Sequence, residues 1–114
     1  MRLRRSEDFR RVWKEGRSWA HPLFILWVAP HGRYDPRLGF VASRKVGKAV
    51  ERNRARRLLR EAARLLYPQL ESGWDIVFVA RAPLAEATMP EVMEAMRDLF
   101  RQAGLLREEG EGSQ

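Results

Sequence analysis

The feature that most constrains this chain is a run of like charge written into a helix-forming stretch. Residues 43–64, SRKVGKAVERNRARRLLREAAR, hold nine of the 22 Lys and Arg residues and only two acids, Glu51 and Glu61. The local charge is +7, equal to the formal net charge of the whole protein. Phased at roughly 100° per residue, residues 51–66 divide into two faces. Ala55, Leu58, Leu59, Ala62 and Leu66 gather on one side, and Asn53, Arg57, Arg60 and Arg64 on the other, with Arg52, Arg54 and Arg56 on the flanks. The pattern predicts a helix, ended before Pro68, that buries a Leu/Ala stripe and presents guanidinium groups. A merely solvated face normally mixes Glu with Lys for i,i+4 pairing. An arginine face offers planar forks for phosphate and surfaces for base stacking. Because concentrated like charge costs stability, nucleic-acid contact is favoured over a solvated surface. Just upstream, Arg44, Lys45 and Lys48 surround Gly47 where the helix start offers free N–H groups to phosphate. The GxxxxGK[ST] spacing of a P-loop is absent, so nucleotide hydrolysis is not inferred.

The rest of the chain sharpens that reading. Residues 1–64 carry eighteen basic and six acidic groups, net +12, whereas residues 65–114 carry four basic and nine acidic groups, net −5. Charge needed only for solubility would be spread more evenly, and the pI near 10.9 points to a polyanionic partner. A length of 114 residues suits one domain, placed at residues 1–106, with a polar, disordered tail at 107–114. The absence of cysteine excludes disulfides, thiolate metal sites and cysteine nucleophiles. The longest apolar run, residues 23–30, falls far short of the roughly 20 residues that span a bilayer, and the N-terminus lacks a signal peptide's apolar core. The expected setting is cytoplasmic, with no membrane partner.

Local signals predict the remaining elements. A first helix is expected from an N-cap at Ser6 to Glu15, stopped by Gly16 as a C′ residue, with Phe9, Val12 and Trp13 on its apolar face. The edges of Phe9 and Trp13 either join the core or line a cleft where a base stacks. Residues 17–29 read as strand, with residues 17–21 as a possible separate short strand. Alternation puts Leu23, Ile25 and Trp27 on one face and Phe24, Leu26 and Val28 on the other. Residues 37–43 form the next strand, expected antiparallel to the first, with Gly39 marking a bulge or a close backbone approach. Residues 74–80, WDIVFVA, are a β-branched strand. Thr88 and Glu91 form a capping box for a last helix that buries Val92, Met96, Leu99 and Ala103, widened by Met93 and Phe100, and stops at Gly104. The order α-β-β-α-β-α describes a small α+β protein. The histidines and aspartates are scattered singly, with Asp8 reading as a helix-dipole partner. No catalytic and no metal-ligating residue is assigned, and the residues point to binding rather than autonomous catalysis.

The stretch LGFVASRKVGKAVERNRARRLLR, residues 38–60, resembles the bacterial ribonuclease P protein subunit. The family pattern is [IL]G[FL]-x-[VA]-S-[KR]-K-x-G-x-A-V followed by an RNR motif. It is met here by Gly39, Ser43, Lys45, Gly47, Ala49 and Val50, then Arg52-Asn53-Arg54, Arg57-Leu58 and Arg60. Phe9, Val12 and Gly16 match the family's F-x-x-V-x-x-x-G, and the GWDIVFVARA strand fits as well. The resemblance implies an α+β fold of the ribosomal-protein S5 second-domain type. That fold is a small, mostly antiparallel four-stranded sheet packed with three helices, with a left-handed βαβ crossover. It implies two partners, the catalytic RNA of ribonuclease P and precursor tRNA, with no DNA expected. The holoenzyme is an endoribonuclease that removes the 5′ leader. Catalysis, with Mg2+, belongs to the RNA, and no cofactor is expected on the protein, an accessory subunit. Carried over by position, contact with the RNA subunit falls to Arg52, Asn53, Arg57 and Arg60, and the basic loop and charged helix faces read above add Lys48, Arg54, Arg56 and Arg64 to the expected contact set. The leader cleft falls to Phe9, Trp13, Trp27 and Val41, with Arg44 and Lys45 at its edge. Trp13 and Trp27 stand where the family usually has Phe or Tyr. A general RNA-binding protein without a processing role, and a DNA-binding module using the arginine helix, are the competing classes. The second lacks an upstream helix-turn-helix partner.

Overall fold

The structure is a computed structural model that describes residues 2–3, 5–32 and 35–107. Along the chain lie α1 (Ser6–Glu15), β1 (Arg17–Ala20), β2 (Phe24–Pro30), β3 (Arg37–Val41), α2 (Ala49–Leu66), β4 (Trp74–Ala80) and α3 (Met89–Ala103). The four strands form one sheet in the order β1-β2-β4-β3. The β1–β2 and β2–β4 pairs are antiparallel and the β3–β4 pair is parallel. Three helices on a mixed, mostly antiparallel sheet make the fold α+β, as the sequence indicates. Of the expected tail at 107–114, Arg107 still donates its N–H to the Gln69 carbonyl (2.8 Å), and residues 108–114 lie outside the described residues.

Residues 17–29 are not one continuous strand but follow the alternative with a separate short strand at their start: the chain reverses between β1 and β2, where the His21 N–H donates to the Phe24 carbonyl (3.0 Å) and His21 Nδ1 accepts from the Leu23 N–H (3.0 Å). One pairing expectation needs correction: β3 is not the antiparallel neighbour of β2, because β4 inserts between them. The reason is apolar content. Ile76, Val77 and Phe78 are all fully buried, so β4 is the strand whose two faces both need cover, and it takes a central place. A parallel β3–β4 pair then requires a long connection, and α2 supplies it.

Alternation divides the sheet cleanly. Phe24, Leu26 and Val28 of β2, Leu38 of β3 and Ile76 and Phe78 of β4 face the main core, which α2 closes with Ala55, Leu59, Ala62 and Leu66 and α3 with Val92, Met96, Leu99 and Phe100. The predicted inner stripe of α2 is thus largely correct. Leu58 is only partly buried, however, and Ala63 joins the core instead. In α3, Ala103 is only partly buried and Ala95 takes an unpredicted buried place. The other sheet face carries a smaller cluster, Leu3, Val12, Ala29 and Val77, with Phe9, Trp27, Val41 and Val79 packed against it. Helix α1 covers part of this second face.

Helix ends follow local chemistry to different degrees. The α3 capping box forms as read: the Thr88 N–H donates to Glu91 Oε1 (2.9 Å), and the Glu91 N–H donates to Thr88 Oγ1 (3.4 Å). Gly104 ends that helix at φ 74°, the left-handed region glycine favours. Helix α1 departs from expectation. Arg5 occupies its N-cap position and Ser6 is already helical. Gly16 is extended (φ −87°, ψ 173°), not a left-handed C′ residue. It is required for space instead, since a Cβ there would stand 2.5 Å from the Val12 carbonyl oxygen and 2.8 Å from that of Val28. Both obstacles are backbone, so α1 would have to lift from β2. A Gly16→Ala variant is expected to lose about 1–2 kcal/mol in chemical denaturation, with the midpoint moved and the slope unchanged.

Candidate nucleic-acid interface

The second sheet face is built as three rows across β2, β4 and β3. The strand registers align Ala29 with Asp75 and Arg37, Trp27 with Val77 and Gly39, and Ile25 with Val79 and Val41.

The first row is ionic. Asp75 is fully buried beneath α1. Arg37 grips it in fork fashion, Nε to Oδ1 at 2.8 Å and Nη2 to Oδ2 at 2.9 Å. Arg11 of α1 donates to Oδ2 from the other side and also reaches the Pro30 carbonyl (2.8 Å). Arg37 Nη2 lies 3.5 Å from Asp8 of α1 and 3.3 Å from His31 Nδ1. The hydrogen bonds to Asp75 raise the Arg37 pKa further above its ordinary value, so the guanidinium stays charged throughout the accessible pH range. This cluster clamps α1 to the sheet. It was not foreseen, because Asp75 looks like an isolated acid in a β-branched strand. The available signal was its alternation with Val77 and Val79, which placed a charge on a covered face where only a paired one can stay.

The second row forms the wall of a cleft. The Phe9 ring lies over Gly39, whose missing side chain leaves the space: a Cβ there would stand 2.7 Å from Phe9 Cε1. The expected close approach at Gly39 is therefore real, and the unbroken β3–β4 register rules out a bulge. Trp13 stands 5.3 Å from Trp27 in an edge-to-face arrangement (80°) and 6.3 Å from Phe9. Trp13 is 38% exposed, so part of its ring surface faces solvent beside the cleft.

The third row lies beyond α1. Ile25 and Val79 line an open groove of about 840 Å³, with Ser43, Lys45 and Arg81 at its polar rim. Of the predicted cleft residues, Phe9, Trp13, Trp27 and Val41 come together and Lys45 reaches the groove edge. Arg44 is exposed on the short 3-10 turn Arg44–Val46 and is not part of the groove lining. Ile25, Val79 and Arg81 were missed, although Ile25 shares the Trp27 face by simple alternation.

Helix α2 presents the second surface. Asn53, Arg57, Arg60 and Arg64 are all exposed, as phasing placed them. The predicted contact set is nevertheless divided in employment. Arg52 Nη1 donates to the Gly47 carbonyl (3.1 Å), bracing the basic loop. Arg54 Nε donates to the Ala85 carbonyl (2.6 Å), tying α2 to the 3-10 turn Ala82–Glu86. Arg56 donates to the Ala42 carbonyl (3.4 Å) and to Asn53 Oδ1 (2.7 Å), which orients that amide. Arg64 pairs with Glu61 at 2.6 Å, an interaction that lowers the Glu61 pKa and raises that of Arg64. The Arg60 guanidinium lies over the Phe40 ring at 5.9 Å. Arg57 and Lys48 keep exposed cationic side chains with no hydrogen bond or ion pair among the described residues. At the helix start Glu51 Oε1 accepts from the Lys48 N–H (2.9 Å), so this acid serves the helix end.

An α+β fold with a cationic helix on one face of the sheet and an aromatic cleft on the other defines the class: a small domain with two separate surfaces whose chemistry suits a polyanion. Comparison with known proteins narrows the class. The ribonuclease P family profile matches residues 1–104. The ribonuclease P protein component of Roseiflexus sp. (strain RS-1) is 46% identical over 112 residues, covering 97% of this chain and 92% of that protein. The same component of Chloroflexus aurantiacus is 53% identical over 106 residues, covering 92% of this chain and 78% of that protein. Among solved structures, the ribonuclease P protein of Thermotoga maritima superposes with a TM-score of 0.78 at 35% identity, covering 89% of this chain and 96% of that one. The chain belongs to the ribonuclease P protein family, and with it to ribonuclease P and tRNA processing. Among the described residues, no helix is long and apolar enough to cross a membrane.

Proposed function

We propose that this chain is the accessory subunit of a ribonuclease P holoenzyme, holding the catalytic RNA with α2 and the 5′ leader of precursor tRNA in the aromatic cleft. In this reading the protein assists endonucleolytic removal of the leader. The hydrolysis is carried by the RNA with its Mg2+. The carrying observation is that the two surfaces lie on opposite faces of one sheet, so two RNA segments are held at once without competing. The protein's own chemistry agrees with a binding role: its fully buried carboxylate, Asp75, is consumed by Arg11 and Arg37 rather than left to bind a metal or move a proton. The cleft offers stacking surfaces indifferent to base identity, with Lys45 and Arg81 near the backbone path.

The chain alone is expected to cleave no precursor tRNA and to stimulate a cognate catalytic RNA at low magnesium. RNA-free cleavage would overturn the division of labour. Phosphate contact by α2 has its own test. Arg57→Ala is expected to reduce the slope of log affinity against log salt by roughly one, across RNA sequences. An unchanged slope would remove Arg57 from the interface.

A further inference from the structure

Where the C-terminal half of α2 meets the β3 edge of the sheet lies a pocket of about 310 Å³. Its walls are Leu38, Phe40, Tyr67 and Pro68, and its rim carries Arg2, Arg60 and Arg64. The walls are fixed. Phe40 is stacked on the core residue Phe78 (5.3 Å, 7°). The Tyr67 hydroxyl donates to the Pro36 carbonyl (2.7 Å), and burial raises its pKa, so the ring stays neutral and held in place. Arg2 is brought to the rim because the Leu3 N–H donates to the Leu38 carbonyl (2.7 Å), laying the N-terminal segment along β3. A duplex phosphate backbone needs only the cations. A rigid apolar recess between aromatic rings gives it nothing and costs the protein exposed apolar surface. The chemistry that uses both parts is an unpaired nucleotide, with its base against the rings and its phosphate on the guanidinium rim. Phe40 and Val41 point to opposite sides of β3, so this pocket opens away from the aromatic cleft and is continuous with the Arg57–Arg60–Arg64 stripe.

We infer that the pocket between α2 and β3 receives one unpaired base of the RNA that docks on α2, adding an anchor for single-stranded structure to a surface otherwise suited to duplex phosphates. This rests on the proposed role of α2 in holding the catalytic RNA. The chain lacks cysteine, so a single cysteine at the exposed position Pro68 can carry an azidophenacyl photo-crosslinker without competing thiols. A second reporter at Arg2→Cys guards against a folding defect in the first. In the reconstituted holoenzyme with precursor tRNA, crosslinks are expected at one unpaired nucleotide of the catalytic RNA. Making that nucleotide abasic should weaken protein binding about tenfold in the parent chain and much less in Tyr67→Ala, since both changes remove the same contact.

Crosslinks confined to paired nucleotides, or equal losses from the abasic site in both proteins, would overturn the base-receiving role. Crosslinks to the leader would overturn the assignment to the RNA held by α2. The supporting reading fails separately: if Arg57→Ala leaves catalytic-RNA affinity and salt slope unchanged, α2 is not the docking helix. If it lowers both and the pocket still yields no unpaired-nucleotide crosslink, only the pocket assignment falls.

Discussion

An Asp75→Ala variant is expected to lose about 3–5 kcal/mol of stability, the largest effect of any single side-chain change considered for this protein. The cause is the company Asp75 keeps. Its carboxylate is fully buried and is shared between a forked Arg37 and Arg11. Removing the carboxylate strips both guanidinium groups of their closest anion and leaves, among the described residues, only the more exposed Glu15 (3.3 Å from Arg11) and Asp8 (3.5 Å from Arg37) as counter-charges. For a domain of this size the melting temperature should fall by roughly 15 °C. Thermal unfolding followed by circular dichroism measures it directly. Combining Asp75→Ala with Arg37→Met and Arg11→Met should recover part of the loss, because no stranded charge then remains. A single variant that melts within a degree or two of the parent would show that the clamp is not what holds α1 down. A fold-only role for Asp75 predicts unchanged leader discrimination in the fraction that stays folded at low temperature. Displacement of the Phe9 and Trp13 wall predicts that discrimination falls too.

Trp27→Ala should act on binding. Trp27 lies in the middle row of the cleft, edge-on to Trp13 and beside the Phe9–Gly39 contact. Stacking of one base on an aromatic ring contributes about 1–3 kcal/mol, so affinity for a tRNA with a leader should fall roughly tenfold to a hundredfold. Affinity for mature tRNA should not change. Trp13→Ala is the companion, since Trp13 is more exposed and its removal disturbs the core less. Titration against active protein separates binding from any loss of folded material. Equal losses for leader-bearing and mature tRNA would favour a general RNA-binding protein over one that reads the leader.

Legibility from sequence tracked the range of the interaction. The α3 cap was readable because Thr88, Glu91 and Gly104 act through bonds a few residues long. The outward stripe of α2 was readable because helical phase is local arithmetic. The Arg64–Glu61 pair was open to the same arithmetic, as an i,i+3 neighbour. Strand order was not readable in this way. Chain neighbours usually pair, yet β4 displaced β3 from β2 because its burial demand on both faces outweighs proximity in sequence. The Asp75 clamp draws on α1, β3, β4 and the loop before β3, so no window of sequence contains it. Gly16 and Gly39 were recognised as special, but only the packing shows that one makes room for a backbone carbonyl and the other for a phenyl ring. The family resemblance named the cleft residues that composition left ambiguous. It did not distinguish arginines that brace the fold, Arg52 and Arg54, from those that face outward, Arg57 and Arg60; helical phase did, since it put Arg52 and Arg54 on the flanks.

The placement of charge by the fold has a consequence for how this protein meets its partner. Four of the nine acids in residues 65–114 come together. Glu86, Glu91, Glu94 and Asp98 line one groove with His21, beside the turn joining β1 and β2. Helix α2, with its outward arginines, connects to β3 at the other edge of the sheet. A carboxylate-lined groove and an arginine-rich helix face are thus separate surfaces of opposite sign. A polyanion held by α2 would be repelled at the α3 groove, and that contrast would discriminate between the two surfaces during encounter.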